Sequence, residues 1–123
     1  MRQYKLAIQD LNKAIQLNPN LALAYDNRGG VYYELEQNER AIQDFNKVIE
    51  LNPNLAVAYS NRCATYVLLG NFKQAIIDAT KAIQLNPNNM TAYHNRGICY
   101  QELGDKKKAQ ADFAKAKELG YKG

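Results

Sequence analysis

Apolar residues recur along this chain at helical spacing, and the pattern restarts at a fixed interval. Between Ala22 and Leu35, the residues Tyr25, Gly29, Tyr32 and Leu35 fall four, three and three apart, on one face of an α-helix. Between Asn38 and Leu51, the residues Ala41, Ile42, Phe45, Val48 and Ile49 form a second such stripe. The breaks between the two kinds of stripe carry turn chemistry. Gly70-Asn71 and Gly104-Asp105 predict a left-handed helix stop followed by an N-cap, whereas the first break has Glu36-Gln37, a poorer stop signal. Each second helix runs into Asn-Pro, where the proline blocks continuation and pushes its predecessor out of the helical region.

The restart interval is 34 residues. Leu-Asn-Pro-Asn occurs at Leu17–Asn20, Leu51–Asn54 and Leu85–Asn88. Tyr25, Tyr59 and Tyr93 share that period, as do Asn27-Arg28, Asn61-Arg62 and Asn95-Arg96. So do Tyr32, Tyr66 and Tyr100, the alanines Ala41, Ala75 and Ala109, and the pairs Asp44/Lys47, Asp78/Lys81 and Asp112/Lys115. A period of this length, filled by two helical stripes, predicts a repeated helical hairpin.

These residues resemble the tetratricopeptide repeat (TPR), a 34-residue helix–turn–helix unit with characteristic aromatic, small and proline positions. The matching residues are Tyr25, Gly29, Tyr32, Ala41, Phe45, Val48 and Pro53 in the first unit. In the second they are Tyr59, Cys63, Tyr66, Ala75, Ala79, Ala82 and Pro87, and in the third Tyr93, Gly97, Tyr100, Ala109, Phe113 and Ala116, with Tyr121 where proline is expected. The resemblance implies an all-α fold, a right-handed α-solenoid of antiparallel helix hairpins: three TPR units plus one extra N-terminal helix. It divides a single domain, 1–123, into a half-repeat second helix (1–21) and repeats at 22–55, 56–89 and 90–123. Small residues such as Gly29 and Gly97 are expected where paired helices cross closely.

The two ends differ in pattern. Ile8, Ile42 and Ile76 share one position that becomes Gln110 in the last unit, and Ile15, Ile49 and Ile83 share another that becomes Lys117. With Tyr121 in place of proline, this reads as a polar C-terminal cap. The N-terminal helix shows no such softening. Its Ala7–Leu11–Ala14 face is expected to stand exposed, as in a piece of a longer array or a surface that another chain covers. A homo-oligomer formed through that face is one expectation.

In the implied fold the first helices line a concave groove, which marks the candidate peptide-binding residues: Asn27, Asn61, Asn95, Tyr33, Val57, Ala64, Val67, Leu68, His94 and Ile98. Val57, Ala64, Val67 and Leu68 make its middle apolar. Asn27, Asn61 and Asn95 form a ladder of amides, each with donor and acceptor capacity, able to hold a peptide backbone bidentately. They resemble the asparagine ladder of superhelical TPR proteins. The alternative is that they are solvated polar residues carried along by repeat duplication. The family's carboxylate clamp for chaperone tails is not matched: only Asn61 fits, and Asp26, Gly30, Thr91 and Asn95 do not. For Arg28, Arg62 and Arg96 the expectation is stems packed between hairpins with heads reaching solvent.

Composition narrows the function further. Hydrophobic residues are 46% and charged residues 23%, ordinary globular values. No apolar run approaches the roughly 20 residues of a membrane span. The segment Met1–Lys5 leads into an amphipathic stretch, so no signal peptide is expected. Cys63 and Cys99 form no metal-ligand spacing and too small a set for a disulfide scaffold, which points to a reducing, cytoplasmic setting. The net charge of +4 is modest. The Lys106-Lys107-Lys108 run, without interleaved aromatics, reads as a solvated face more readily than as a nucleic-acid site. His94 is the single histidine, with no acid–base partner, P-loop or metal cluster beside it. The expectation is a non-catalytic protein–protein interaction module, without cofactor or metal, that binds an extended peptide or a partner helix. Structural self-assembly is the alternative.

Overall fold

The computed structural model describes residues 2–122, so Met1 and Gly123, the outermost positions of the predicted half-repeat and last repeat, lie outside the described residues. Among these there are seven helices and no strand: α1 (Arg2–Leu17), α2 (Ala22–Glu34), α3 (Asn38–Leu51), α4 (Ala56–Leu68), α5 (Phe72–Leu85), α6 (Met90–Glu102) and α7 (Lys106–Glu118). They group into two compact units, Met1–Asn54 and Leu55–Gly123. In the first unit α2 pairs with α3 and also packs on α1. In the second, α4–α5 and α6–α7 are hairpins, stacked through α5 on α6 and α4 on α6. The class is all-α, and this hairpin stacking is that of an α-solenoid.

The turns inside the hairpins share one hydrogen-bond scheme. The N–H of Gln37 donates to the Tyr32 carbonyl, that of Asn71 to Tyr66 and that of Asp105 to Tyr100, at 2.8–2.9 Å. The residue before each donor is left-handed: Glu36 (φ 62°), Gly70 (φ 76°) and Gly104 (φ 89°). This is the Schellman closure, which satisfies the last helix carbonyls at the cost of one positive φ. The end of α7 repeats it, with Tyr121 N–H on the Ala116 carbonyl and Gly120 at φ 109°. Glu36 is the departure, because its Cβ meets the steric penalty that glycine escapes. Glu36→Gly is therefore expected to stabilise the chain by about 0.5–1 kcal/mol, the relieved strain less the added freedom of the unfolded chain. A thermal melt beside wild type measures it.

Of the two expected N-caps, one forms with its side chain. Asp105 accepts from the Lys108 N–H at 3.1 Å. Asn71 caps α5 through its backbone, its carbonyl accepting from Ala75 N–H, with no side-chain cap bond. The Leu-Asn-Pro-Asn loops are held as turns: Asn18 Oδ1 accepts from Asn20 N–H and Asn86 Oδ1 from Asn88 N–H, both at 3.2 Å. Tyr25 ties its helix to the loop before it, its hydroxyl donating to the Pro19 carbonyl at 2.9 Å. The first of the recurring tyrosines and the first of the recurring prolines thus share one local closure.

Helix crossings are as close as the small residues predict. A Cβ added to Gly29 would lie 2.8 Å from the Phe45 ring, and one added to Gly97 would lie 2.8 Å from Phe113. The α4–α5 crossing solves the same problem with other sizes. There Cys63 and Ala79, both fully buried, take the places of glycine and phenylalanine. The larger residue on one helix faces the smaller one on the other, and both are fully buried.

Candidate functional site

The recurring arginines do not send their heads to solvent, contrary to the sequence expectation. Arg28 grips Asp44 through two parallel bonds, Nε to Oδ2 at 2.9 Å and Nη2 to Oδ1 at 2.7 Å. Arg62 holds Asp78 the same way at 2.8 and 2.7 Å, and Arg96 holds Asp112 at 2.8 Å twice. All three carboxylates are buried. The guanidinium forks also lie beside tyrosine rings, Arg28 near Tyr25 and Tyr32, Arg62 near Tyr59 and Tyr66, Arg96 near Tyr93 and Tyr100, at 5.6–6.0 Å. Arg28 Nη1 also donates to Asn12 of α1, and Arg96 Nη1 to Thr80 of α5. Arg28 thus staples its hairpin to α1, and Arg96 staples its hairpin to α5. The carboxylate bonds raise the arginine pKa values further. Bound this way, the three forks are not open to an incoming acidic peptide.

The candidate groove residues fall in both units. Asn27, exposed, and Tyr33, half-buried, lie on α2 of the first. The others lie on α4 and α6 of the second, the two first-type helices that pack together there. Val57 and Asn61 come together with Ser60, Thr91 and the loop residues Asn88 and Asn89 around an open hollow of about 450 Å³. No charged side chain lines it. Further along α4, Ala64 and Val67 are half-buried and Leu68 is 56% exposed. On α6, Asn95 and Ile98 are half-buried.

His94 is engaged within the fold. Its ring stacks on Tyr121 with centroids 4.1 Å apart and lies 5.3 Å from that of Phe113. Burial lowers its pKa, which keeps the ring neutral. Tyr121, which replaces the expected proline, thus holds the segment after α7 against α6.

The loop asparagines of the hollow were not among the expected site residues, although Asn86 and Asn88 stand in the very string that revealed the period and Asn89 follows it. The arginine–aspartate staples had a clear signal too: both partners recur with the period, always 16 residues apart. Cys63 and Cys99 are buried free thiols, and burial pushes them up to about 12 and about 11. They are packing groups and not nucleophiles. No group of three or more potential metal-ligating side chains occurs among the described residues. No helix among them is long and apolar enough to cross a membrane.

Stacked helix hairpins on a 34-residue period, with a shallow polar and apolar face, define a helical-repeat protein. Comparison with known proteins names the family. Models described as "Tetratricopeptide repeat" match residues 56–89 and 79–111, and one described as "TPR repeat" matches 3–35 and 29–70. The chain belongs to the tetratricopeptide repeat family. None of the curated proteins compared matches it. Among solved structures it is similar to a crystal structure of MamA, with a TM-score of 0.86 and 29% identity over 91% of this chain and 66% of that one. It is similar to the TPR domain of Arabidopsis OM64, with a TM-score of 0.80 and 33% identity over 80% and 82% of the two chains. It is also similar to the first TPR of Spaghetti (RPAP3) bound to the HSP90 peptide SRMEEVD, with a TM-score of 0.79 and 28% identity over 80% and 79%. The chain spans just under two thirds of the MamA chain. Family and neighbours indicate a protein–protein interaction scaffold.

Proposed function

We propose that the chain, 1–123, acts as one non-catalytic array that holds an extended peptide against the face of its first helices. The observation that carries this is the uncharged hollow between α4 and α6, where Val57 offers apolar surface and Asn61, Ser60, Thr91 and Asn89 offer amides and hydroxyls. Such a lining suits a peptide backbone and small side chains, because amides pair with backbone N–H and C=O groups regardless of sequence. Within the second unit Asn95 extends the ladder, and Ala64, Val67, Leu68, His94 and Ile98 border it; Asn27 and Tyr33 are the corresponding candidates on α2 of the first unit. The family relative RPAP3 takes an acidic chaperone tail. This chain lacks the matching clamp residues and keeps its arginines in internal ion pairs, so its peptide is of another kind. Two buried thiols fit a reducing compartment, and we place the protein in the cytoplasm.

The test uses peptides selected by display against the full chain. Asn61→Ala is expected to weaken a selected peptide by about 2- to 10-fold, the usual worth of one net hydrogen bond. Fluorescence anisotropy at equal helicity reads the difference, and unchanged affinity removes the ladder from the mechanism. A second reading is self-assembly through the Ala7–Leu11–Ala14 face of α1; those three residues are half-buried and not exposed as expected, and Leu6 and Leu17 are the exposed apolar residues of that helix. Light scattering at high concentration separates the two.

A further inference from the structure

Helix α7 carries lysines at both ends, and the dipole favours those of its last turn, Lys115 and Lys117. Lys106, Lys107 and Lys108 occupy its first turn, the end of the helix whose dipole repels cations. Lys108 is partly satisfied, 4.0 Å from Asp105 and 5.4 Å from the Tyr100 ring, and Lys115 lies 3.6 Å from Glu118. Lys106, Lys107 and Lys117 have no such partner among the described residues. Lys106 and Lys117 are eleven residues apart, three helical turns, and so share one face about 16 Å long. Between them on that face lie Gln110 and Phe113. With Gln101 of α6, the residues Lys106, Ala109, Gln110 and Phe113 surround an open hollow of about 290 Å³. It is a shallow hollow with an aromatic wall, two amides and one cation, Lys106, and no carboxylate lines it; Lys117 lies outside it, one turn beyond Phe113 on the same face.

The equivalent face of α5 carries Ile76 and Ile83 in the same register as Gln110 and Lys117, and in that hairpin stack a helix, α6, covers α5. In that register α7 carries Lys106, Gln110, Phe113 and Lys117 where α5 carries Phe72, Ile76, Ala79 and Ile83. We propose that this α7 face docks a helix of a partner protein that is amphipathic and acidic. An apolar side chain would enter the hollow against Phe113, and carboxylates three turns apart would meet Lys106 and Lys117. Charge decides between occupants. A second copy presenting its α1 would bring the exposed Lys5 and Lys13 toward these lysines, with Asp10 alone in compensation, and like charges facing one another oppose docking. Nucleic acid would use the lysines but leave the apolar hollow unfilled, and no exposed aromatic on this face serves as a stacking platform.

The probe is a fluorescently labelled synthetic helix with a leucine stripe and glutamates matched to the Lys106–Lys117 spacing, titrated into the full chain by anisotropy. Three controls accompany it: the same helix with lysines for glutamates, an oligoglutamate without leucines, and a DNA duplex. The acidic helix is expected to bind the wild-type chain, to bind the Lys106→Glu/Lys117→Glu variant at least roughly tenfold more weakly, and to lose affinity as salt rises. Both lysines are exposed, so the variant should keep the wild-type melt. Asn61→Ala should leave this binding unchanged, which separates the face from the hollow between α4 and α6. Equal binding of the lysine helix, of oligoglutamate or of the duplex overturns the proposal, and so does an affinity that survives the charge reversal.

Discussion

Asp78→Ala is expected to cost about 3 kcal/mol of stability, the lower end of the range for breaking a buried ion pair from one side, and to lower the melting temperature by on the order of 10 °C. Asp78 is the deepest of the three staple carboxylates, with its side chain 1% exposed. Burial raises its pKa, and the hydrogen bonds and charge of Arg62 only partly reverse that shift. Burial thus works against the ionised carboxylate, while the bonds to Asp78 favour the charged Arg62, so the attraction within the pair is set against its desolvation. Removing one member is another matter. The Arg62 guanidinium would stay wedged near Tyr59 and Tyr66 with its counter-charge gone. Its own 16% exposure lets it regain some water, which places the estimate at the low end. A corollary separates this account from simple loss of contacts. Arg62→Leu/Asp78→Leu should cost less than Asp78→Ala, because no charge is left buried alone. Guanidinium melts of the three chains decide it: a double variant less stable than the single one would show that the pair earns its place by attraction and not by mutual neutralisation.

The fold was legible in the sequence because a repeat states its rules three times. One helical stripe is ambiguous, but three copies on one period, the first two closed by Asn-Pro and the last two split by glycine, leave one architecture. The left-handed turn was readable at Gly70 and Gly104 and only inferable at Glu36, where the backbone conformation is imposed by the neighbours in spite of the side chain. The arginine staples were missed for a physical reason. A charged residue with a long stem reads as a surface group unless its partner is known, and that partner lay 16 residues away on the next helix. The ladder asparagines were visible as a series, but a series does not say which members share a wall. In the second unit Asn61 shares its hollow with loop asparagines and Thr91, a grouping that depends on how α4 and α6 approach. The tail was the least readable part. Tyr121 looked like a lost proline, whereas its ring is a stacking partner for His94.

Gly97→Leu tests the close crossings directly and is expected to cost about 3 kcal/mol, near the top of the usual overpacking range. The Cβ alone would stand 2.8 Å from Cδ1 and Cε1 of Phe113. An ordinary carbon contact needs roughly 3.5–4.0 Å, so the ring or the α6–α7 axis must shift before the rest of the leucine is placed. Leucine's better helix propensity, roughly 0.8 kcal/mol over glycine, offsets only part of this. The neighbouring hairpin supplies the rescue. Cys63 and Ala79 occupy the same crossing on α4 and α5, so Gly97→Cys/Phe113→Ala would transplant a pairing that this chain already uses. The two substitutions should couple favourably, the double variant being more stable than the sum of the singles by at least roughly 1 kcal/mol, since the thiol fills space that the lost ring vacates. Additive losses would mean that the crossing distance is set elsewhere, by the loops or the arginine staples. Coupling would mean that each hairpin measures its own helix separation with one pair of side chains, small facing large or medium facing small.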